Sequence, residues 1–251
     1  MVIKRFILML QFFTSIPVKL QIEIKNEEFG KALVFAPIIG LIIGSIIAGS
    51  FYISRCIFPT SIAAALVIVL YILLTGGLHM DGLGDTFDGI FSNRSKDRML
   101  EIMRDSRVGT NAVLAIASVI LLNWVLISGM SEEYTLKILI LFPVAGRIGS
   151  LTGACVSKYA RSGEGLGKSF IDLCSWKELG VGIFFHAIIF FCVLHIKGLI
   201  LSLIPIFMSF ILVKFLGKKI DGATGDILGA VCELNQTGFL LATYVFINFY
   251  F

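Results

Sequence analysis

Long apolar stretches separated by short polar segments make up most of this 251-residue chain. A helix needs about 20 apolar residues to cross a bilayer. Stretches of that kind predict seven spans, at residues 33–54, 61–78, 110–130, 138–156, 180–196, 199–216 and 226–250. Some are short or contain polar residues, so the count carries an error of about one span. We therefore predict an all-α, polytopic transmembrane bundle that forms one integral membrane domain over residues 1–251.

The composition supports the bilayer as solvent and excludes several other classes of protein. The chain is 57% hydrophobic with 22 Phe and only 15% charged residues, whereas soluble domains carry about a quarter. No block of like charges suggests a nucleic-acid partner. The five cysteines form no CxxC pair, which argues against a disulfide framework or a zinc site.

The distribution of basic residues predicts the orientation. With the N-terminus in the cytoplasm, the seven-span arrangement places 17 of the 21 Lys and Arg inside, three outside, and Arg147 within a span. This is a strong positive-inside asymmetry. It also places three polar segments, 79–109, 157–178 and 217–226, on the cytoplasmic side. We expect them to converge there on an active site.

The densest polar segment contains three aspartates, Asp81, Asp85 and Asp88, at positions i, i+4 and i+7. On a helix they share one face. Three neighbouring carboxylates repel each other unless a cation neutralises them, and hard oxygen ligands suit Mg²⁺ or Mn²⁺. Ionisable residues at a membrane boundary are functional candidates. The alternative is a solvated loop with ordinary ion pairs, such as Arg98 with Glu101.

A second acidic segment follows. The spacing predicts that Arg94, Arg98, Glu101 and Asp105 share one helical face. A break at residues 89–93, with Ser92 or Asn93 capping the second helix, would let the two acidic faces turn toward each other and form one site.

Other polar outliers lie further along the chain. Arg147 falls inside a span and needs a partner, either a substrate phosphate or a carboxylate of the protein. The glycine-rich segment 161–168 is either a substrate loop or a plain connector. Asp226 and Glu233 lie on one face of the last span, and both are candidates for the site.

Several segments together resemble the cobalamin (5′-phosphate) synthases, a family of adenosylcobinamide-GDP ribazoletransferases. The likeness is carried by residues 76–89, 98–110, 164–167, 224–226 with Gly229 and Glu233, and 12–17, and so extends over nearly the whole chain. Gly84 stands where many members have Ala.

This resemblance implies a reaction. Adenosylcobinamide-GDP and α-ribazole, or its 5′-phosphate, would give adenosylcobalamin or its 5′-phosphate and release GMP. It also implies a requirement for Mg²⁺, with Mn²⁺ as a substitute, and a place in the bacterial or archaeal cytoplasmic membrane among lipids. The sequence leaves open whether the chain forms a homo-oligomer or associates with other corrinoid-assembly enzymes.

Within that reaction we predict three groups of site residues. Asp85, Asp88 and Glu101 would hold the metal, with Asp81 as a further ligand or an acid behind it. Asp105 is the predicted general base, and His79 is the second choice. The predicted substrate-binding residues are Arg94, Arg98, Arg104, Arg107, Arg147, Glu164, Lys168, Asp226 and Glu233.

Two competing functions remain. A weaker likeness to CDP-alcohol phosphotransferases runs through Asp85, Asp88–Gly89, Arg94, Glu101 and Asp105, but parts of that signature are missing. A transporter would also carry acids and glycines in its spans, although no inverted repeat is visible.

Overall fold

The computed structural model describes residues 1–20, 22, 25–163 and 165–250, with only the backbone of Tyr250. Within them, the chain forms α-helices and one 3₁₀ turn, Leu33–Phe35, and no β-strand. The helices are α1 (Val2–Phe13), α2 (Glu27–Ala32), α3 (Ala36–Arg55), α4 (Thr60–Thr75), α5 (Leu78–Ile90), α6 (Lys96–Ile102), α7 (Thr110–Gly129), α8 (Glu132–Val156), α9 (Leu166–Ile171), α10 (Trp176–Gly217) and α11 (Gly225–Tyr250). The predicted all-α fold is confirmed.

Helix α8 is the centre of the bundle. Its last turns, from Leu141 to Ala154, are buried without interruption, because α3, α10 and α11 all pack around it. Glycines make the close approach possible: a Cβ on Gly44 of α3 would lie 2.1 Å from the carbonyl oxygen of Ile140. Small residues at such contacts are how helices pack closely in membranes.

Helix α10 is a hairpin of two arms. Its chain reverses at His195, where φ is 52° and ψ is −135°. The ring Nε2 of His186 lies 3.2 Å from the carbonyl oxygen of Ser202, 16 residues further on. Along a straight helix those residues would be about 24 Å apart. The arms, residues 176–194 and 196–217, therefore lie side by side and correspond to two of the predicted spans.

Among the described residues, five helices are long and apolar enough to cross a membrane, and the bent pair α4–α5 makes a sixth candidate. That count takes α10 as one element. With its two arms separated, each of the seven predicted apolar segments coincides with helix. The number of crossings itself stays a prediction.

A right-angled bend separates α4 from α5. Gly76 and Gly77 adopt left-handed backbone angles, with φ of 61° and 70°, which cost glycine little. The two helices meet at 89°. Helix α5, which carries the three aspartates, therefore lies across the end of the bundle, where it packs against α11 and α7.

The segment after α5 differs from the prediction in two respects. The break is present, but Ser95 precedes α6 and Asn93 has a left-handed φ of 56°, so neither Ser92 nor Asn93 is the cap. Helix α6 is only seven residues long, and Arg94 and Asp105 lie outside it. The predicted shared face of Arg94, Arg98, Glu101 and Asp105 is wrong, because the chain turns away after Ile102.

The polar segments separate cleanly between the two ends of the bundle. At one end, Lys96 Nζ contacts Asp221 at 3.2 Å and Lys219 Nζ donates to the carbonyl oxygen of Ile90 at 3.0 Å. At the other end, Arg55 pairs with Glu132 at 3.0 Å. The predicted convergence of segments 79–109, 157–178 and 217–226 at one end is confirmed.

Candidate functional site

The start of α11 is pressed against α5. A Cβ on Gly82 would lie 2.8 Å from the backbone oxygen of Asp226, and one on Gly229 would lie 3.3 Å from His79 Cα. Only glycine allows the two backbones to come this close. The contact brings the carboxylate of Asp226 beside those of α5, although 138 to 145 residues separate them in sequence.

Asp85 lies at the centre of this carboxylate cluster. Its half-buried side chain interacts electrostatically with Asp81, Asp226 and Asp88, which repel its charge, and with Arg161, which attracts it. Arg161 Nη2 donates to Asp226 Oδ2 at 2.7 Å. One guanidinium therefore faces four carboxylates, and the cluster has an excess of negative charge.

These residues fit a hard divalent cation. Neither Asp81 nor Asp85 has a hydrogen-bond or ion-pair partner in the part of the chain that the structure describes, so their oxygens are available. Carboxylate oxygens are the ligands that Mg²⁺ and Mn²⁺ prefer. The excess charge is what such an ion would neutralise.

Asp88 has a different environment. Its two oxygens accept hydrogen bonds from the backbone N–H groups of Gly109, at 2.6 Å, and Ala112, at 2.9 Å. These are free donors at the start of α7, so Asp88 acts as an N-terminal cap supplied by another helix. It fixes α5 against α7. The predicted role of Asp88 in metal binding remains a prediction.

The acids of the second segment are paired at the surface. Arg98 Nη1 lies 2.5 Å from Glu101 Oε2, which is the ion pair that the solvated-loop alternative predicted. Arg107 binds Asp105 through both side-chain and backbone N–H groups. These hydrogen bonds lower the pKa of Asp105 to about 2. A base works best with a pKa near the working pH, so this geometry weakens the prediction that Asp105 is the general base.

The predicted basic residues fall into two groups: four arginines are exposed, whereas Lys168 and Arg147 are not. Arg94, Arg98, Arg104 and Arg107 are exposed. Arg104 and Arg161 line a surface pocket of about 220 Å³ together with Glu101. Lys168 lies half-buried in α9, and Glu164 falls outside the described residues.

Arg147 and Glu233 lie in a buried network below the carboxylate cluster. Arg147 Nη1 donates to the Tyr71 hydroxyl at 3.1 Å and to Gln236 Oε1 at 3.0 Å. The Tyr71 hydroxyl donates to Glu233 Oε1 at 2.6 Å, and Gln236 Nε2 donates to Glu233 Oε2 at 3.0 Å. The sequence left open whether Arg147 binds a substrate phosphate or pairs with a carboxylate of the protein. In the structure Arg147 is linked to the Glu233 carboxylate through the Tyr71 hydroxyl. Substrate contact by Arg147 or Glu233 remains a prediction.

His79, Cys232 and Glu233 are close enough to suggest a metal centre, since their ligand atoms lie within 4.8 Å of one another. The surroundings argue against one. Arg147 Nη1 lies 3.7 Å from Cys232 Sγ, so a permanent cation already occupies this space. Both oxygens of Glu233 accept hydrogen bonds. We interpret this group as part of the buried network.

A cavity of about 230 Å³ opens beside the carboxylate cluster. Asp81 and Asp226 stand in its wall with His79, and α1 and α9 supply aromatic side chains. Of the two residues predicted as the general base, His79 lines this cavity and Asp105 does not. Asp81, predicted as a further metal ligand or an acid behind the metal, also lines it.

Sequence reasoning missed some of these residues. Arg161, which pairs with Asp226 at the carboxylate cluster, was predicted only as part of the segment 161–168, and substrate binding by Asp226 remains a prediction. Tyr71 and Gln236 were not predicted. A polar residue amid an apolar span is the one signal that would have pointed to Gln236.

Comparison with known proteins places these features in a family. The model of the cobalamin-5-phosphate synthase family matches residues 5–244. The chain is 56% identical over 246 residues to the adenosylcobinamide-GDP ribazoletransferase of Clostridium acetobutylicum, covering 98% of each chain. It is 57% identical over 244 residues to that of Acetivibrio thermocellus, covering 97% of this chain and 98% of the relative. No solved structure matches.

Proposed function

Since the chain belongs to the cobalamin-5-phosphate synthase family, we propose that it transfers the adenosylcobinamide phosphate group of adenosylcobinamide-GDP to α-ribazole or its 5′-phosphate and releases GMP. The observation that carries the proposal is 56–57% identity, over almost the whole chain, to two relatives named for this activity. The carboxylate cluster beside a cavity gives the reaction a place in the fold.

The reaction exchanges one phosphorus–oxygen bond for another. A ribazole hydroxyl oxygen bonds to the phosphorus on the cobinamide side of the pyrophosphate. The bond from that phosphorus to the bridging oxygen breaks, and the bridging oxygen leaves with GMP. The hydroxyl proton must pass to a base, and negative charge grows on the leaving phosphate.

The carboxylates divide this work between them. We assign proton transfer to Asp81, because it lines the cavity and has no partner among the described residues. Asp85 and Asp226, with Asp88 adjoining, would hold Mg²⁺ or Mn²⁺. The ion, when bound, supplies positive charge that stabilises the transferring and leaving phosphoryl oxygens. This set differs from the ligands predicted from sequence, since Asp226 takes the place of Glu101.

Arg161 positions the cluster and binds phosphate in this proposal. It holds Asp226 at 2.7 Å and also reaches the carbonyl oxygen of Met103 at 3.4 Å. Both of these contacts are made by Nη2, and a guanidinium has five N–H donors in all, so further donors remain for a phosphate oxygen. Arg104 shares the adjoining surface pocket, and a guanidinium fork suits phosphate.

The first test is turnover by the detergent-purified protein. Adenosylcobinamide-GDP, α-ribazole phosphate and Mg²⁺ are supplied, with EDTA in a parallel reaction, and GMP and corrinoid product are followed by chromatography. We expect equal amounts of both products and none with EDTA. Folded, metal-loaded protein that gives neither product would overturn the proposal, and CDP-alcohol donors would then be tried.

We also propose that the carboxylate end faces the cytoplasm, on the strength of the basic-residue asymmetry. Cys56 is exposed at the opposite end, next to Arg55. In a variant with the other cysteines replaced, an impermeant maleimide should label Cys56 in intact cells. A cysteine placed at Ser162, with Cys56 also replaced, should react only after permeabilisation. The reverse pattern would invert the orientation.

A further inference from the structure

The cavity beside the carboxylates has aromatic walls. The rings of Phe12 and Phe170 lie 4.8 Å apart, centroid to centroid, and Phe13 stacks on His79 at 5.4 Å with planes 28° apart. Leu33, Leu78 and Leu166 complete its apolar lining. Helices α1, α5 and α9 bring these side chains together. Flat faces of this kind favour a flat aromatic guest.

Besides the carboxylates of Asp81 and Asp226, the cavity has two polar side chains, Ser150 and His79. Ser150 Oγ is already bonded to the carbonyl oxygen of Leu228 at 3.1 Å. His79 lines the cavity but is only 3% exposed, and its Nδ1 is fully buried without a partner in the described part of the chain. A guest with one acceptor ring nitrogen would take a hydrogen bond from the part of the His79 ring that reaches the cavity.

We infer that this cavity is the subsite for the bicyclic aromatic base of α-ribazole; the inference rests on the proposed function. The base is flat and carries two methyl groups, and its free ring nitrogen accepts one hydrogen bond, which the His79 ring in the cavity wall would donate. The base matches an aromatic wall with one side-chain donor.

The other parts of the two substrates fit less well. The corrin ring is too large for about 230 Å³, since even drug-sized ligands occupy pockets of ~300–1,000 Å³. Guanine would need donors for both its O6 and its N7. Asp81 and Asp226 in the cavity wall can only accept, and the Ser150 hydroxyl already donates to Leu228, which leaves His79 as the side-chain donor.

The cavity lies where the proposed attack of the ribazole hydroxyl on phosphorus would need it. Asp81 and Asp226 belong both to its wall and to the carboxylate cluster. A base held among Phe13, His79 and Phe170 leaves its ribose beside those acids. The attacking hydroxyl then lies next to the group that takes its proton.

Two substitutions test the subsite. Phe13→Leu removes a ring face at little change in volume, and we expect it to weaken binding of α-ribazole about three- to tenfold. Leu166→Trp narrows the cavity, and we expect a loss of about tenfold or more. Leu173→Trp is the control, because Leu173 is also exposed, at 36% against 54% for Leu166, and lies just after α9 without lining the cavity.

Binding of α-ribazole is measured by equilibrium dialysis without donor, and KM for each substrate by turnover. We expect KM for α-ribazole to rise in both variants while KM for adenosylcobinamide-GDP changes less than twofold. Free 5,6-dimethylbenzimidazole should compete with α-ribazole, and GMP should not. The assignment of the cavity to α-ribazole would be overturned if both variants kept the parent's binding of α-ribazole and its KM. It would also be overturned if only the KM for adenosylcobinamide-GDP rose. Absence of turnover in the parent protein would instead overturn the proposed function, whatever dialysis shows.

Discussion

Two polar clusters lie close together in this bundle, and they differ in how their charges are satisfied. In the buried network, both oxygens of Glu233 accept hydrogen bonds, and Arg147 lies 5.5 Å from the centroid of the Tyr71 ring as well as bonding its hydroxyl. In the carboxylate cluster, Asp81 and Asp85 have no partner among the described residues. Hydrogen bonds link the charged groups of the buried network to one another, although Nε and Nη2 of Arg147 have no partner among the described residues. The open carboxylates are instead arranged for a cation that binds.

The comparison also distinguishes two environments for an acidic side chain within a membrane protein. Glu233 and Asp226 belong to the same helix, two turns apart, and looked equivalent in sequence. Glu233 is enclosed by Tyr71 and Gln236, whereas Asp226 faces Arg161 and the cavity. The partner, rather than the residue type, decides which acid does chemistry and which holds helices together.

The largest expected effect comes from removing a charge from the open cluster. Asp85→Asn keeps the size of the side chain but removes its charge, so we expect turnover to fall by about a thousandfold or more with melting temperature unchanged or raised. Asp172→Asn, an exposed aspartate just after α9 that lies outside the cluster, should leave turnover within twofold. Turnover near the parent level in Asp85→Asn would remove Asp85 from the metal site.

The same change of charge in the buried network should act on stability. Arg147→Met leaves Glu233 and Tyr71 without their cation, and breaking such a buried arrangement costs about 3–5 kcal/mol. We expect a large fall in melting temperature. Arg147→Met combined with Glu233→Gln should recover part of it, because the unpaired charge is gone.

Exposed Arg107→Met is the control for Arg147 and should melt like the parent protein. If Arg147→Met melts normally but loses turnover with a raised KM for the donor, the guanidinium binds substrate and the contrast between the two clusters fails.

Asp88 combines a structural contact with a position in the carboxylate cluster. Substitutions at Asp88 can show whether it stabilises the fold, binds the metal, or does both. Asp88→Ala removes the cap of α7, which should cost about 1–2 kcal/mol of stability. Asp88→Asn retains one acceptor oxygen and should cost less. If Asp88→Asn loses turnover as completely as Asp85→Asn while remaining folded, Asp88 is a metal ligand as well as a cap.

The smallest effect is expected at Asp105. Hydrogen bonds from Arg107 lower its pKa to about 2. Because folding lowers this pKa, the stability that the ion pair contributes is fully present above the pKa of Asp105 in the unfolded chain. It is lost only as the pH falls toward 2. Asp105 therefore stays ionised from pH 5 to 8, and Asp105→Asn should leave the pH profile of turnover unchanged over that range. Loss of an acidic limb in that profile would restore Asp105 as the base.

The sequence by itself determined the class of this protein and the segments that form its candidate site. Apolar length gave the helices, because a bilayer accepts few other structures. The spacing of Asp81, Asp85 and Asp88 gave one acidic face, since helical periodicity is local. Basic-residue asymmetry placed three polar segments at one end, and the structure brings them together there.

Tertiary structure alone decided which residues meet. Asp226 joins Asp85, Arg147 reaches Gln236, and Asp88 caps α7 through contacts between distant parts of the chain. Local patterns do not encode such pairings, which depend on glycine contacts between helices, as at Gly82 and Gly229. The early end of α6 likewise separated Asp105 from Arg98, and no periodicity marked that turn. The aromatic cavity has the same origin, because its walls come from helices that only packing brings together.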